Sequence, residues 1–203
     1  AASGSASIPE QLEQAKYILG KKAQGAKFIA YFQDFTNTYG AVSRLEPLFL
    51  AAMEPDDVVA LSIATRPDCL PEDILRMLAR LRAKKPVFVE LGLQTIHEAT
   101  AHYIRRGYPL SVFDDAVQKL HALEIEVIAH QILGLPGETA EMIVETTRHL
   151  GQLPVDGVKL HLLHILRGTD LAAEYEAGRV KPLELDAYID ILEQCLAVLP
   201  PKI

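Results

Sequence analysis

Residues Glu126–Thr139 read EVIAHQILGLPGET. Val127, Ile128, Ala129, Ile132 and Leu133 form an apolar run without amphipathic alternation, the pattern of a parallel strand covered on both faces. His130 and Gln131 interrupt that run just before the chain turns. Gly134-Leu135-Pro136-Gly137 then breaks the strand, and Glu138-Thr139 supplies an acid and a cap for a helix carrying Met142, Ile143, Thr146 and Leu150. Ligands of α/β proteins bind beyond the carboxyl ends of strands, which makes the His-Gln pair a candidate site. The competing reading is a buried histidine satisfied by a neighbouring backbone group.

The same alternation extends in both directions. Upstream, Lys27–Phe32 (KFIAYF) is a strand that runs into the polar loop Gln33–Gly40. That loop is either a second wall of the site or an ordinary βα turn with capping Asn and Thr. A helix over Val42–Met53 leads to strand Val58–Ile63, which ends in Ala64-Thr65-Arg66-Pro67-Asp68. Pro71-Glu72-Asp73 opens the next helix, with acids in its first turn and Arg82–Lys85 at its end, as the helix dipole favours. In strand Pro86–Gln94, period two sets Phe88, Glu90, Gly92 and Gln94 on one face. Glu90 needs a partner there, because an isolated buried carboxylate is costly. Helices over His97–Arg106 and Ser111–Leu123 follow. Downstream of the opening stretch, Gly157–Leu166 is a last strand with Lys159 and His161 on one face, and helices Leu171–Gly178 and Leu183–Val198 close the chain. At the other end, Ala1–Ser7 is a flexible lead-in to a helix that starts at Ile8-Pro9 and closes within Gly20–Gly25.

Five strands alternating with helices imply a parallel α/β sheet with right-handed crossovers, in a single domain over residues 1–203. An open doubly wound sheet and a barrel both satisfy the pattern. Gln33, Arg66, Glu90 with Gln94, His130, and Lys159 with His161 cluster at strand ends and on single faces, which favours a partial barrel, where inner faces surround one cavity.

The chain has 203 residues, 49% of them hydrophobic, and a formal net charge of −7. That balance argues against a general basic surface for nucleic acid and leaves room for a local patch. No apolar run approaches the roughly 18 residues of a membrane helix, and Ala1 opens no signal-peptide pattern. Cys69 and Cys195 are too few for a disulfide framework or a metal cluster, and fit a reducing cytoplasm. Phosphate-binding glycine loops are missing. Lys159 suggests a Schiff-base lyase or aldolase, or else a lysine paired with Glu90. A metal site of His130, His161 and Glu90 is geometrically conceivable on an inner wall.

KFIAYFQDFTNTY, LSIATRPDCLPE, ELGLQT, IRRGY, HQILGLPGET and VKLHLLHILRGTDL, in this order, resemble the radical S-adenosylmethionine (SAM) enzymes. The likeness is nearest to the YhcC-like group, with the Elongator catalytic subunit next, and runs from about Ile8 to Asp170. It implies a partial TIM-type (β/α)6 barrel with SAM and a [4Fe–4S] cluster at the carboxyl ends of its strands. The cluster, reduced by a reductant in the intact enzyme, cleaves SAM to a 5′-deoxyadenosyl radical that abstracts hydrogen from a substrate; RNA or protein would both suit. By the same resemblance Gln94 and His130 face the SAM ribose, Arg106 pairs with the methionine carboxylate, the backbone at Ile165, Leu166 and Arg167 contacts adenine, and Gln33 and Thr65 belong to the cofactor site. Two departures stand in the amine-binding half: Phe32-Gln33-Asp34 where relatives carry Gly-Gly-Thr, and Ala64 where they often carry Glu. The resemblance further implies that the first barrel strand and the three-cysteine loop lie upstream of Ala1, that the five strands are the second to sixth, and that this chain alone does not reduce SAM. A SAM- or partner-binding barrel without catalysis is the remaining alternative.

Overall fold

A computed structural model describes residues 7–20 and 25–203. The elements are α1 (Ile8–Leu19), β1 (Phe28–Phe32), α2 (Val42–Met53), β2 (Val58–Thr65), α3 (Glu72–Arg82), β3 (Val87–Gln94), α4 (Glu98–Tyr103), α5 (Leu110–Ala122), β4 (Glu126–Leu133), α6 (Ala140–Gln152), β5 (Gly157–Leu162), α7 (Asp170–Glu176) and α8 (Leu185–Val198). The sheet order is β1-β2-β3-β4-β5, with β1 parallel to β2 and β4 parallel to β5. A sequential order with a helix between strands belongs to the barrel family, since a doubly wound sheet reverses direction at a switch point. The chain forms two compact units, the first of residues 1–90 with 119–126 and the second of 91–118 with 127–203.

In the first unit Leu61 and Ile63 of β2, Phe49 of α2, and Ile74, Leu78 and Leu81 of α3 are fully buried. The Phe32 ring meets Phe49 edge-on, with centroids 4.9 Å apart. Ser7, counted with the flexible lead-in, is instead the N-cap of α1: its hydroxyl accepts from Glu10 N while Glu10 reaches back to the Ser7 backbone. Residues 1–6 of that lead-in, and 21–24 of the expected helix end, lie outside the described residues.

In the second unit Leu133, Ile143, Val144, Ile191 and Cys195 form a core between β4, α6 and α8. Two expectations are corrected here. β4 is not covered equally on both faces: Val127, Ala129, Gln131 and Leu133 are buried, while Ile128, His130 and Ile132 are only half-buried. Apolar residues occupy both faces of this strand, so hydrophobicity alone hides the alternation. The last strand also ends at Leu162 rather than Leu166. Leu133 pairs with Leu162, and Leu163 N makes one more bond to Leu133 O at 3.0 Å. Beyond that β4 has turned away at Gly134 and offers no further carbonyls.

Gly134 has φ +87°, and a Cβ built there would lie 2.9 Å from the Leu183 side chain. Gly134→Ala should therefore destabilise the protein by about 1–2 kcal/mol, the cost of left-handed backbone for an L-residue. Urea unfolding monitored by circular dichroism should show a lower midpoint with an unchanged slope.

Candidate functional site

The second unit carries the most tightly built group. Val87, Val89, Leu91 and Leu93 bury one face of β3, leaving Gly92 and Gln94 on the other. At Gln94 the backbone enters the left-handed region, φ +67°. Such a conformation in a non-glycine residue persists only where its surroundings hold it. Arg106 does so. Its side chain is buried, Nη1 donates to Leu93 O (3.4 Å) and Thr95 O (2.5 Å), the carbonyls on either side of Gln94, and Nε donates to Tyr108 O at 2.9 Å. The Tyr108 hydroxyl donates to Gly92 O, and Arg106 Cζ lies 5.1 Å from the Tyr108 ring centroid. Thr95 is held a second time: its hydroxyl donates to Glu138 and accepts from His97 N at 3.0 Å.

The Gln94 side chain folds back over Gly92, where a Cβ would sit 2.7 Å from Gln94 Nε2. Its Oε1 is buried and has no hydrogen-bond partner among the described residues. An orphaned buried carbonyl costs about 1–3 kcal/mol. Sequence reasoning set Gly92 on the same face as Gln94 but did not single it out as the space for that side chain; the period-two face of ELGLQT carried that signal.

Arg106 Nη2 takes a carboxylate oxygen of Glu98 at 3.0 Å, and the Glu98 side chain is itself exposed. The same Glu98 oxygen accepts from Leu110 N at 2.9 Å. His130 and Gln131 do not work as a pair. Gln131 is buried under α6, donating to Ile143 O and accepting from Thr147 Oγ1, both at 2.8 Å. His130 stands on the other face, its Nδ1 3.2 Å from His161 Nε2. One of the two nitrogens must carry the proton and the other the lone pair, so this contact needs at least one neutral ring. Lys159, half-buried, is the register partner of His130. Past the end of β5, Ile165 is half-buried while Leu166 and Arg167 are exposed, and the Thr169 hydroxyl holds Leu166 O at 2.7 Å.

In the first unit Gln33 is exposed at the first position after β1. Thr65, at the end of β2, is buried with its hydroxyl 2.6 Å from that of Thr38, which also donates to Cys69 O. Thr65 thus braces the loop that follows Gln33. Glu90 finds the partners its burial demands in two hydroxyls that sequence reasoning did not single out: Tyr31 and Ser62 donate to its two oxygens, each at 2.7 Å. Tyr31 and Ser62 face each other in the β1–β2 register. Burial, and then the hydrogen bond to Glu90, push the Tyr31 phenol well above its ordinary pKa. Cys69 is half-buried and Cys195 fully buried, and among the described residues no three His, Cys, Asp or Glu side chains stand close enough to hold a metal. The two thiols do not fit the thiolate set of a [4Fe–4S] cluster.

Comparison with known proteins follows the same lines. Residues 5–150 match the model of the Radical SAM superfamily, and residues 155–203 that of the Radical_SAM C-terminal domain. YtqA of Bacillus subtilis (strain 168) is 42% identical over 192 residues, covering 95% of this chain and 60% of its own. YhcC of Escherichia coli (strain K12) is 34% identical over 198 residues, covering 97% and 63%. The chain thus spans about three-fifths of the length of these two relatives. The tRNA uridine(34) acetyltransferase of Methanocaldococcus jannaschii is 30% identical over 145 residues, 70% of this chain and 26% of that protein. In fold, the Elp3 structure from Methanocaldococcus infernus superposes with a TM-score of 0.78 at 21% identity, covering 97% of this chain and 53% of that one. The fold is the partial TIM-type barrel of parallel strands that the sequence led us to expect.

Two outcomes follow from the clamp around Gln94. Arg106→Ala should cost about 1–3 kcal/mol for each buried carbonyl it strands, read as a lower urea midpoint without any ligand present. Burial raises the Glu138 carboxyl, partly offset by the Thr95 hydroxyl. The folded state then holds that proton more tightly than the unfolded chain, a contribution present at low pH and lost as pH rises through the raised value. Glu138→Gln should accordingly show a smaller loss of stability than the parent as pH rises above the ordinary glutamate range, in urea titrations at stepped pH.

Proposed function

Because this chain belongs to the radical SAM superfamily, we propose that it is the SAM-holding core of such an enzyme, with Gln94 Oε1 accepting a hydrogen bond from the cofactor ribose. The observation that carries this reading is the unpartnered buried oxygen of Gln94, held on left-handed backbone by Arg106 and given its space by Gly92. A fold that spends a buried guanidinium on fixing one strained glutamine keeps that glutamine for a ligand.

His130 is the second ribose-facing group, held by His161, and the segment Ile165–Arg167 lies against adenine. Arg106 is assigned to the methionine carboxylate, a reading supported by the bond its Nη2 donates to the Glu98 carboxylate. Exchange of one carboxylate for another on the same nitrogen keeps a charge-assisted bond in place. Gln33 and Thr65 are assigned to the cofactor on the family likeness, and within their own unit Thr65 braces the loop after Gln33 through Thr38. SAM, when bound, supplies the radical chemistry, and these residues bind and orient it. For the substrate we propose RNA, on the kinship with the tRNA uridine(34) acetyltransferase.

Gln94→Met keeps the shape and removes the acceptor. Isothermal titration calorimetry with SAM should show at least about a tenfold loss of affinity, the 1.4 kcal/mol of a single net hydrogen bond. Stability in urea should hold or rise, because an orphaned polar atom has gone. Equal SAM heats for the parent and Gln94→Met would overturn the assignment.

A further inference from the structure

The loop after β1 holds two aromatic side chains almost wholly in solvent, Phe35 at 97% and Tyr39 at 81% exposure. Phe35 does so on left-handed backbone, φ +63°, which for a bulky residue is a genuine outlier. The loop is nevertheless firmly framed. Asn37 Nδ2 donates to Phe32 O and Ala64 O, both at 2.9 Å. Thr38 is 2% exposed and bonds Thr65 Oγ1 and Cys69 O, each at 2.6 Å, while Tyr39 N donates to Thr36 O at 3.1 Å. A rigid frame that holds a phenyl ring outward, in a conformation the residue resists, is the construction of a contact surface.

We propose that Phe35 and Tyr39 are a stacking platform for an unpaired nucleobase of the RNA substrate, an inference that rests on the RNA reading above. The platform stands at the carboxyl end of β1, the end at which barrel enzymes bind their ligands. Phosphate recognition is poorly provided for: the chain carries a net charge of −7, and Arg66, next to the Thr65 that braces the loop, makes a two-pronged pair with Asp68 at 2.9 and 2.7 Å. Aromatic faces recognise single-stranded bases without a strong phosphate grip, and every base has a face to offer. Binding through this loop should depend on the bases and only weakly on salt.

The test uses a short single-stranded RNA containing 2-aminopurine, whose fluorescence falls on stacking, against the full-length protein. Matched strands carry an abasic site in place of the fluorescent base. The parent should quench the probe and bind it more tightly than the abasic strand. Phe35→Ala should lose the quenching and about fivefold to a hundredfold in affinity, while Phe35→Trp keeps both, and SAM heats should be unchanged in each variant. Binding of the two strands with equal affinity, or quenching that survives Phe35→Ala, would overturn the platform and leave an RNA substrate standing. Absence of binding to either strand would overturn the RNA reading together with it. Protection of Phe35 in the RNA-free full-length protein, seen as a ring resonance unresponsive to a soluble paramagnetic probe, would assign the loop to an internal contact and overturn the proposal.

Discussion

The second unit depends on how the chain leaves β3. A strand that simply ended at Gln94 would present three carbonyls to the interior and nothing to bind them. Arg106 and Tyr108, from the turn after α4, supply donors to Gly92, Leu93 and Thr95. Buried backbone acceptors are paired almost without exception, so IRRGY and ELGLQT form one structural unit although they are separate in sequence. The positive φ of Gln94, the space over Gly92 and the orientation of the amide all follow from that clamp. It is a costly arrangement, since it buries a guanidinium, and it leaves Gln94 Oε1 buried without a hydrogen-bond partner among the described residues.

Two other interior polar groups obey the same rule with a different result. Glu90 and Gln131 sit in strands where apolar residues would pack more cheaply, and both are hydrogen-bonded within the protein, Glu90 to two hydroxyls and Gln131 to Thr147 and a helix carbonyl. Satisfied groups of this kind fix the register of their neighbours. Gln94 differs in that its buried Oε1 has no hydrogen-bond partner among the described residues.

Loops at the strand ends show the same division of labour. Thr95 and Glu138 tie together the turns after β3 and β4, and Thr38 and Thr65 tie those after β1 and β2. Small hydroxyl residues do the bracing from within, while larger groups such as Phe35, Tyr39 and Gln33 face outward from the braced frame. Function on such a scaffold can change by altering the outward residues alone.

Periodicity and turn chemistry in the sequence by themselves determined the βα alternation, the five strands and the position of Gln94 on one face with Glu90 and Gly92, because these depend on spacing of two or 3.6 along the chain and on glycine and proline at the turns. The ordered motifs determined the family. Tertiary structure alone decided that Gln131 belongs to the core and His130 does not, because apolar residues on both faces of β4 conceal which side is covered. It alone decided that β5 stops at Leu162, because a ladder ends where its neighbour turns away. It also showed what surrounds Glu90 and Arg106: hydroxyls of two adjacent strands for the first, and the carbonyls flanking Gln94 for the second. Partners brought from distant positions by folding leave no local spacing to read, and for buried charge those partners determine the role.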